Sequence, residues 1–421
     1  MKLLISTYAC APNRGSEHAV GWNWTTEAHR QGHEVWAMAS TSQRAAIEVA
    51  CRADSSLTGI RWSFPEVPGW PLTPGVEPKW ERTYNLLWQR MALRHARALQ
   101  REVGFDLVHH LTWCGVRAPT FLGALGPPLI IGPIGGGETS PAALRDDFTP
   151  RGRITERIRD ISNATITLNP IVRGGLTDAA AIFVKTPETR ALLSKSMQRK
   201  SLPFIEVSLH RDQIGRPRIL SPTPPRLLFA GRLLYWKGAH IAIRALAALA
   251  RTTPDARLTI VGKGPEEARL RALAATLGVA ERVEFIAWLP QPRLFELYDR
   301  HNLFVFPSLH DSGGTVVIEA LARGLPVMCL DLGGPRQIVI PPAGIVVPTA
   351  GRDTVAVASA MAAQMHRLFA DPARLSELSR GAIERAREFV LADRIADFYG
   401  SAAAAIGRRA QVASVDLVEI C

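Results

Sequence analysis

Arg226-Leu227-Leu228-Phe229-Ala230-Gly231 is a short apolar run closed by glycine, and a helical pattern from His240 to Arg251 follows it. The unit then repeats. Apolar runs at Arg257 to Val261, Val283 to Ala287, Leu303 to Phe306 and Pro326 to Leu330 alternate with helical patterns at Glu266 to Leu277, Pro292 to Tyr298 and Thr315 to Arg323. Short apolar runs bounded by Gly, Pro and polar turns read as buried strands. Strands that alternate with helices predict a parallel sheet covered on both faces. The same theme occurs earlier, with strands at Lys2 to Thr7, Glu34 to Ala39, Leu107 to Leu111 and Leu129 to Gly132, and a helix at Ala19 to Gln31. The expected fold class is therefore α/β, with two doubly wound domains.

Length agrees, because 421 residues exceed one ordinary core and suit two. The expected division is a first domain over 1–207, a linker over 208–225, a second domain over 226–385, and a terminal helix with a tail over 386–421 that returns to the first domain. Gly215, Pro217, Pro222, Pro224 and Pro225 mark the linker, since proline interrupts helices and ladders alike. The composition is that of a folded protein, 47% apolar and 21% charged. The first residues run straight into a strand pattern without the cationic and long apolar regions of a secretory signal, and no apolar run is long enough to span a bilayer, so a cytoplasmic location is expected. Five scattered cysteines have no metal-ligand spacing and read as reduced thiols.

The formal net charge of +12 raises the question of an anionic partner. Between Arg151 and Arg218 stand 13 basic and six acidic side chains. A solvated face accounts for them, and contact with a membrane surface or an anionic acceptor stays open. No recognition helix, zinc pattern or interleaving of aromatic and basic residues supports nucleic-acid binding.

Three strand-end loops carry the chemistry. In Gly231-Arg232-Leu233-Leu234-Tyr235-Trp236-Lys237-Gly238 two cations flank a glycine-bounded loop, as stabilisation of a departing diphosphate requires; an ordinary surface turn would look the same. Gly262-Lys263-Gly264 is a second strand-to-helix turn whose amides suit a phosphate or nucleotide edge. The third, Pro307 to Val327, places Asp311 after a strand, Gly313 and Gly314 where amides can approach a phosphate, and Thr315 at a helix start. Glu319 follows one turn later among apolar neighbours, placed to hold ribose hydroxyls; helix capping by Asp311 and solvation of Glu319 are the plainer readings.

These residues resemble the retaining glycosyltransferases of family 4, over nearly the whole chain. The resemblance implies a GT-B fold of two Rossmann-like domains facing across a cleft, with Arg232 and Lys237 on the donor diphosphate. It matches Asp311 and Glu319 to the family's acidic pair, with Asp311 where glutamate is usual, and Gly333-Gly334 to a following glycine pair. It implies that Arg232, Lys237 and Asp311 are catalytic, that Gly15, Gly231, Gly262, Gly313, Gly314, Thr315 and Glu319 complete the donor site, and that configuration is retained. In the first half it implies an acceptor or sugar site at Glu17, His109, His110, Gly135, Gly136 and Glu138. There Gly15-Ser16 stands where the family often has two glycines, and His110 is out of phase with the family's second histidine and thus on the opposite strand face. Glu17 also reads as a helix cap and His109 as a core histidine.

No Asp-x-Asp motif is present, and the expected enzyme needs neither metal nor cofactor beyond the nucleotide-sugar co-substrate. The general look is similar to transferases that add N-acetylglucosamine from its UDP donor to 2-deoxystreptamine in antibiotic biosynthesis. Transfer to a cell-surface polysaccharide or lipopolysaccharide and a nucleotide-sugar epimerase of the same fold are the alternatives.

Overall fold

The computed structural model describes residues 1–76 and 78–418, and the side chains of these apart from 167 and 409–418. The chain forms two compact units. The first holds Met1–Gly137, Asn163–Glu206 and the helix Leu391–Val418; the second holds Glu138–Ser162 and Val207–Val390.

In the first unit, strands β1 (Lys2–Ser6), β2 (Glu34–Met38), β3 (Arg61–Ser63), β4 (Leu107–His110), β5 (Leu129–Ile134), β6 (Ala181–Val184) and β7 (Ser201–Pro203) form one sheet. Its order is β3-β2-β1-β4-β5-β6-β7 and every pairing is parallel. A parallel strand covered on both faces must be apolar on both. In β1, Leu4 packs with Tyr84 and Trp88 on one face, while Leu3 and Ile5 pack with Trp24, Ile395 and Phe398 on the other. The helix Leu391–Val418 thus completes the second face with Phe398, whose burial contributes about 2–3 kcal/mol.

In the second unit, β8 (Arg226–Ala230), β9 (Arg257–Val261), β10 (Val283–Ile286), β11 (Leu303–Phe306), β12 (Val327–Leu330) and β13 (Gly344–Val347) form a parallel sheet in the order β10-β9-β8-β11-β12-β13. From β8 the chain passes outward to β9 on one side and returns to β11 on the other. The loops leaving β8 and β11 therefore diverge at their carboxyl ends, where open sheets of this kind bind ligands. In the first unit β1 and β4 stand in the same relation.

Two segments differ from the sequence-based division. Residues 138–162, expected in the first domain, belong to the second unit, because their helix Pro150–Ala164 buries Glu156 against its loops. The proline-rich stretch 208–225 is also part of that unit: the Arg218 guanidinium donates to the carbonyls of Tyr298 at 2.8 Å, His301 at 3.3 Å and Arg323 at 3.5 Å, and to that of Asp299. Gly215 N–H donates to Ala322 C=O at 2.8 Å.

Cys10, Cys114 and Cys329 are buried free thiols and Cys51 is half-buried; Cys421 lies outside the described residues, as do the last three positions of the expected tail. Among the described residues no helix is long and apolar enough to cross a membrane.

Candidate functional site

The loops leaving β8 and β11 are stitched together. Leu309 N–H donates to Trp236 C=O at 2.8 Å, and Ser308 Oγ to the same carbonyl at 3.3 Å. Gly238 has φ +79, and a Cβ there would lie 1.9 Å from Pro307 O, so only glycine permits this approach. The contact brings Lys237 Nζ onto the Asp311 carboxylate, each side chain being 19% exposed. Asp311 therefore pairs with Lys237; the helix after it, Thr315–Ala322, follows Gly314 with no side-chain cap. Arg232 is exposed, and its guanidinium has no partner among the described residues. The β9 loop lies alongside: Gly231 N–H donates to Val261 C=O and Leu233 N–H to Lys263 C=O, both at 2.9 Å. A Cβ at Gly262 would meet Gly231 O at 1.9 Å, so Gly262 serves this loop packing.

The helix Thr315–Ala322 makes its first backbone bond from Val317 N–H to Gly314 C=O at 2.8 Å. The amides of Thr315 and Val316 precede that bond and point their partial positive charge toward the β11 loop, beside Gly313 and Gly314. A phosphate is stabilised by such an end, and the Lys237 ammonium is held on Asp311 in the loop that leads to it. Glu319 is buried, 6% exposed, one turn further on. It accepts from Gln291 Nε2 at 2.7 Å and from Tyr298 OH at 3.2 Å, one donor per oxygen. Burial raises its carboxyl above the ordinary value, and the two hydrogen bonds pull partly back. Each oxygen keeps a second lone pair for a hydroxyl.

His310, next to Asp311, stacks on Trp236 with ring centroids 4.9 Å apart, and its Nε2 lies 3.1 Å from Glu156 Oε1. Glu156 also accepts from Tyr235 OH and Ser140 N–H, both at 3.1 Å. Burial would push its carboxyl up, yet His310, Ser140 and Tyr235 together hold it at about 2. Sequence reading passed over Glu156, His310, Gln291 and Tyr298. An acid between the arginines at 153 and 157 was the only trace of Glu156 in the sequence.

In the first unit Gly15 and Ser16 precede the helix Glu17–Arg30; Ser16 has φ +59, in the region that favours glycine. Glu17 accepts from Trp113 N–H at 2.5 Å, which ties the β1 loop to the β4 loop. His109 is fully buried with both nitrogens engaged, Nδ1 3.0 Å from Tyr399 OH and Nε2 2.8 Å from Gly132 O, and burial lowers its pKa to about 4. His110, also fully buried, places Nδ1 3.4 Å from Ser6 Oγ, and its Nε2 has no hydrogen-bond partner. Burial lowers it to about 3, so both rings are neutral near pH 7. The Gly135 carbonyl accepts from Val116 N–H at 2.9 Å and that of Gly136 from Arg117 Nη1 at 2.7 Å. Glu138 is buried and belongs to the second unit. At the end of β6 the structure adds a pair absent from the sequence reading, Lys185 and Glu206 at 2.5 Å. Burial opposes the Lys185 charge, but Glu206, Cys114 and Glu17 hold the ammonium above its ordinary range.

Among the described residues no three His, Cys, Asp or Glu side chains converge as a metal site.

Residues 211–389 match the family described as glycosyl transferases group 1. The chain is 39% identical over 173 residues to a D-inositol 3-phosphate glycosyltransferase of Acidothermus cellulolyticus, a match that covers 39% of this chain and 37% of that protein. It is 30% identical over 326 residues to the 2-deoxystreptamine glucosyltransferase of Streptomyces kanamyceticus, which covers 72% of this chain and 79% of the relative. Among solved structures it is similar to a sucrose-phosphate synthase from Thermosynechococcus elongatus, with TM-score 0.63 and 19% identity over 96% of this chain and 99% of that one.

Proposed function

Since the chain belongs to the group 1 glycosyl transferases and has the GT-B fold, we propose that it moves a hexosyl group from a nucleotide-diphosphate donor to a small hydroxylated acceptor, with retention of configuration. The observation that carries this reading is the meeting of the β8 and β11 loops. It pairs Lys237 with Asp311, four residues before the start of the helix Thr315–Ala322, with Arg232 exposed on the same β8 loop. Fixed positive charge there stabilises the departing diphosphate without help from a metal ion. Glu319, held by Gln291 and Tyr298, takes the ribose hydroxyls on its remaining lone pairs. Asp311, paired with Lys237, is the proposed contact to the donor sugar.

The proposed donor is a UDP-hexose and the proposed acceptor 2-deoxystreptamine, as in antibiotic biosynthesis. The relative of that acceptor is a glucosyltransferase, which favours UDP-glucose over UDP-N-acetylglucosamine. The proposed location is the cytoplasm, where nucleotide sugars are supplied. A thermal-shift screen of UDP, GDP and ADP sugars, followed by mass spectrometry with the aminocyclitol, tests the reading. A ligand at a hundredfold its Kd stabilises by about 2.7 kcal/mol. No shift with any nucleotide sugar would sink it, and turnover of donor without acceptor would point to an epimerase.

One observation favours a second reading, transfer to a membrane-borne saccharide: exposed isoleucines on the arginine-rich helix Pro150–Ala164.

A further inference from the structure

A single oxygen atom of Glu156 meets both loops of the proposed donor site. Glu156 Oε1 accepts from Tyr235 OH at 3.1 Å, in the loop leaving β8, and lies 3.1 Å from His310 Nε2, in the loop leaving β11. Tyr235 stands two residues before Lys237, and His310 is the chain neighbour of Asp311. The other oxygen accepts from Ser140 N–H at 3.1 Å, which fixes the carboxylate itself.

The segment that carries Glu156 is anchored in turn. Arg145 Nε donates to Ser140 C=O at 2.8 Å, and the same guanidinium reaches both oxygens of Asp160, one turn after Glu156, at 2.6 and 3.0 Å. Asp147 takes two bonds of 2.9 Å from Arg244 on the helix Ala239–Leu249, which begins directly after Gly238. The Phe148 ring lies 4.7 Å from that of Tyr235, and a Cβ at Gly152 would come within 3.3 Å of the Tyr235 ring. These contacts converge on the stretch that presents Lys237.

We propose that Glu156 is a positioning residue for glycosyl transfer: through Tyr235 and His310 it sets the two loops so that the Lys237 ammonium and the Asp311 carboxylate meet. Apolar side chains of similar volume often hold packed elements together as well as a buried ionic group does, and the acid contributes direction, since its acceptors fix where each partner stands. A fixed charge displaced by about 1 Å from its working place costs up to about 100-fold in rate. The proposal rests on the donor reading above and adds to it a residue from outside both loops.

The test is a double-mutant cycle in kcat/KM with the donor that the wild type turns over. Glu156→Ala is expected to lower kcat/KM about tenfold or more, and to change it less than about twofold when Lys237 is already alanine, because both changes act through the same charge. Tyr235→Phe removes one hydroxyl and keeps the ring against Phe148, so it repeats the cycle without opening a cavity. It is expected to cost about fivefold in the wild-type background and less than about twofold beside Lys237→Ala. All variants are assayed well below the lowest melting temperature in the set, with far-UV circular dichroism equal to that of the wild type. A purely structural Glu156 would leave kcat/KM unchanged, or lower it by the same factor in both backgrounds, and either result overturns the proposal. A wild type that turns over no nucleotide sugar would sink the donor reading, and this proposal with it.

Discussion

Lys237 and Asp311 lie 74 positions apart in the chain, and their side chains form an ion pair at the point where the loops leaving β8 and β11 meet. The pair fixes the Lys237 ammonium where the proposed donor diphosphate would lie. Replacing Lys237 with alanine is expected to lower kcat/KM by about 100-fold or more, because the fixed charge facing the leaving group is gone. Steady-state kinetics with the donor identified by thermal shift provides the measurement. A loss under threefold would remove Lys237 from the donor site.

The Glu156 carboxyl has an ordinary value of 4.5 and is held at about 2 in the folded chain. A depressed carboxyl contributes stability above its unfolded value and loses it as pH falls through the folded one. The wild type should therefore lose stability between pH 4.5 and 2 that Glu156→Gln never has. Denaturant melts at several pH values would show the two curves converge in acid. At pH 7 the variant is expected to be about 3 kcal/mol less stable, since His310, Tyr235 and Ser140 lose a buried acceptor. Parallel curves would refute the linkage.

Arg218 reaches four backbone carbonyls and contacts no proposed donor residue. Arg218→Ala should cost about 3 kcal/mol of stability, a drop of several degrees in Tm, as carbonyls lose a charged donor. The KM for donor at a permissive temperature should stay as in the wild type. A variant with wild-type Tm would show those contacts to be energetically idle.

Ser16 occupies a backbone region that costs a non-glycine residue about 1–3 kcal/mol. Ser16→Gly is expected to stabilise the protein by about 1 kcal/mol, while Ser16→Ala gives no gain because the Cβ remains. Differential scanning calorimetry of the two variants decides, and equal melting temperatures would mean that the backbone is unstrained there.

The proposed retention of configuration is checked on the product. Proton NMR of the fresh glycoside should give the anomeric coupling of the donor, and the opposite anomer would exclude retention.

What could be read in the sequence divides along physical lines. β8 and its successors announce themselves because both faces of each strand are buried, so the run of Leu227, Leu228 and Phe229 needs no partner to be recognised. The meeting of Lys237 with Asp311 follows from that order, since residues after adjacent parallel strands must be neighbours. Contacts between distant elements were not legible. The surroundings of His109 include Tyr399, 290 residues away, and those of Glu319 depend on how the helix Gln291–Arg300 is turned toward it. Glu156 reaches His310 from a helix in the other half of the chain, a path that no local pattern encodes.

That path has a consequence for synthesis. Each unit is assembled from stretches that are not contiguous: the second takes a helix made early, and the first takes one made last. On the ribosome the first sheet can form its strands, but the face that receives Phe398 stays uncovered until Leu391–Val418 has emerged. Emerging domains ordinarily fold one after the other. Here the unit begun first must be completed last, which exposes its apolar face to chaperones throughout the translation of the other.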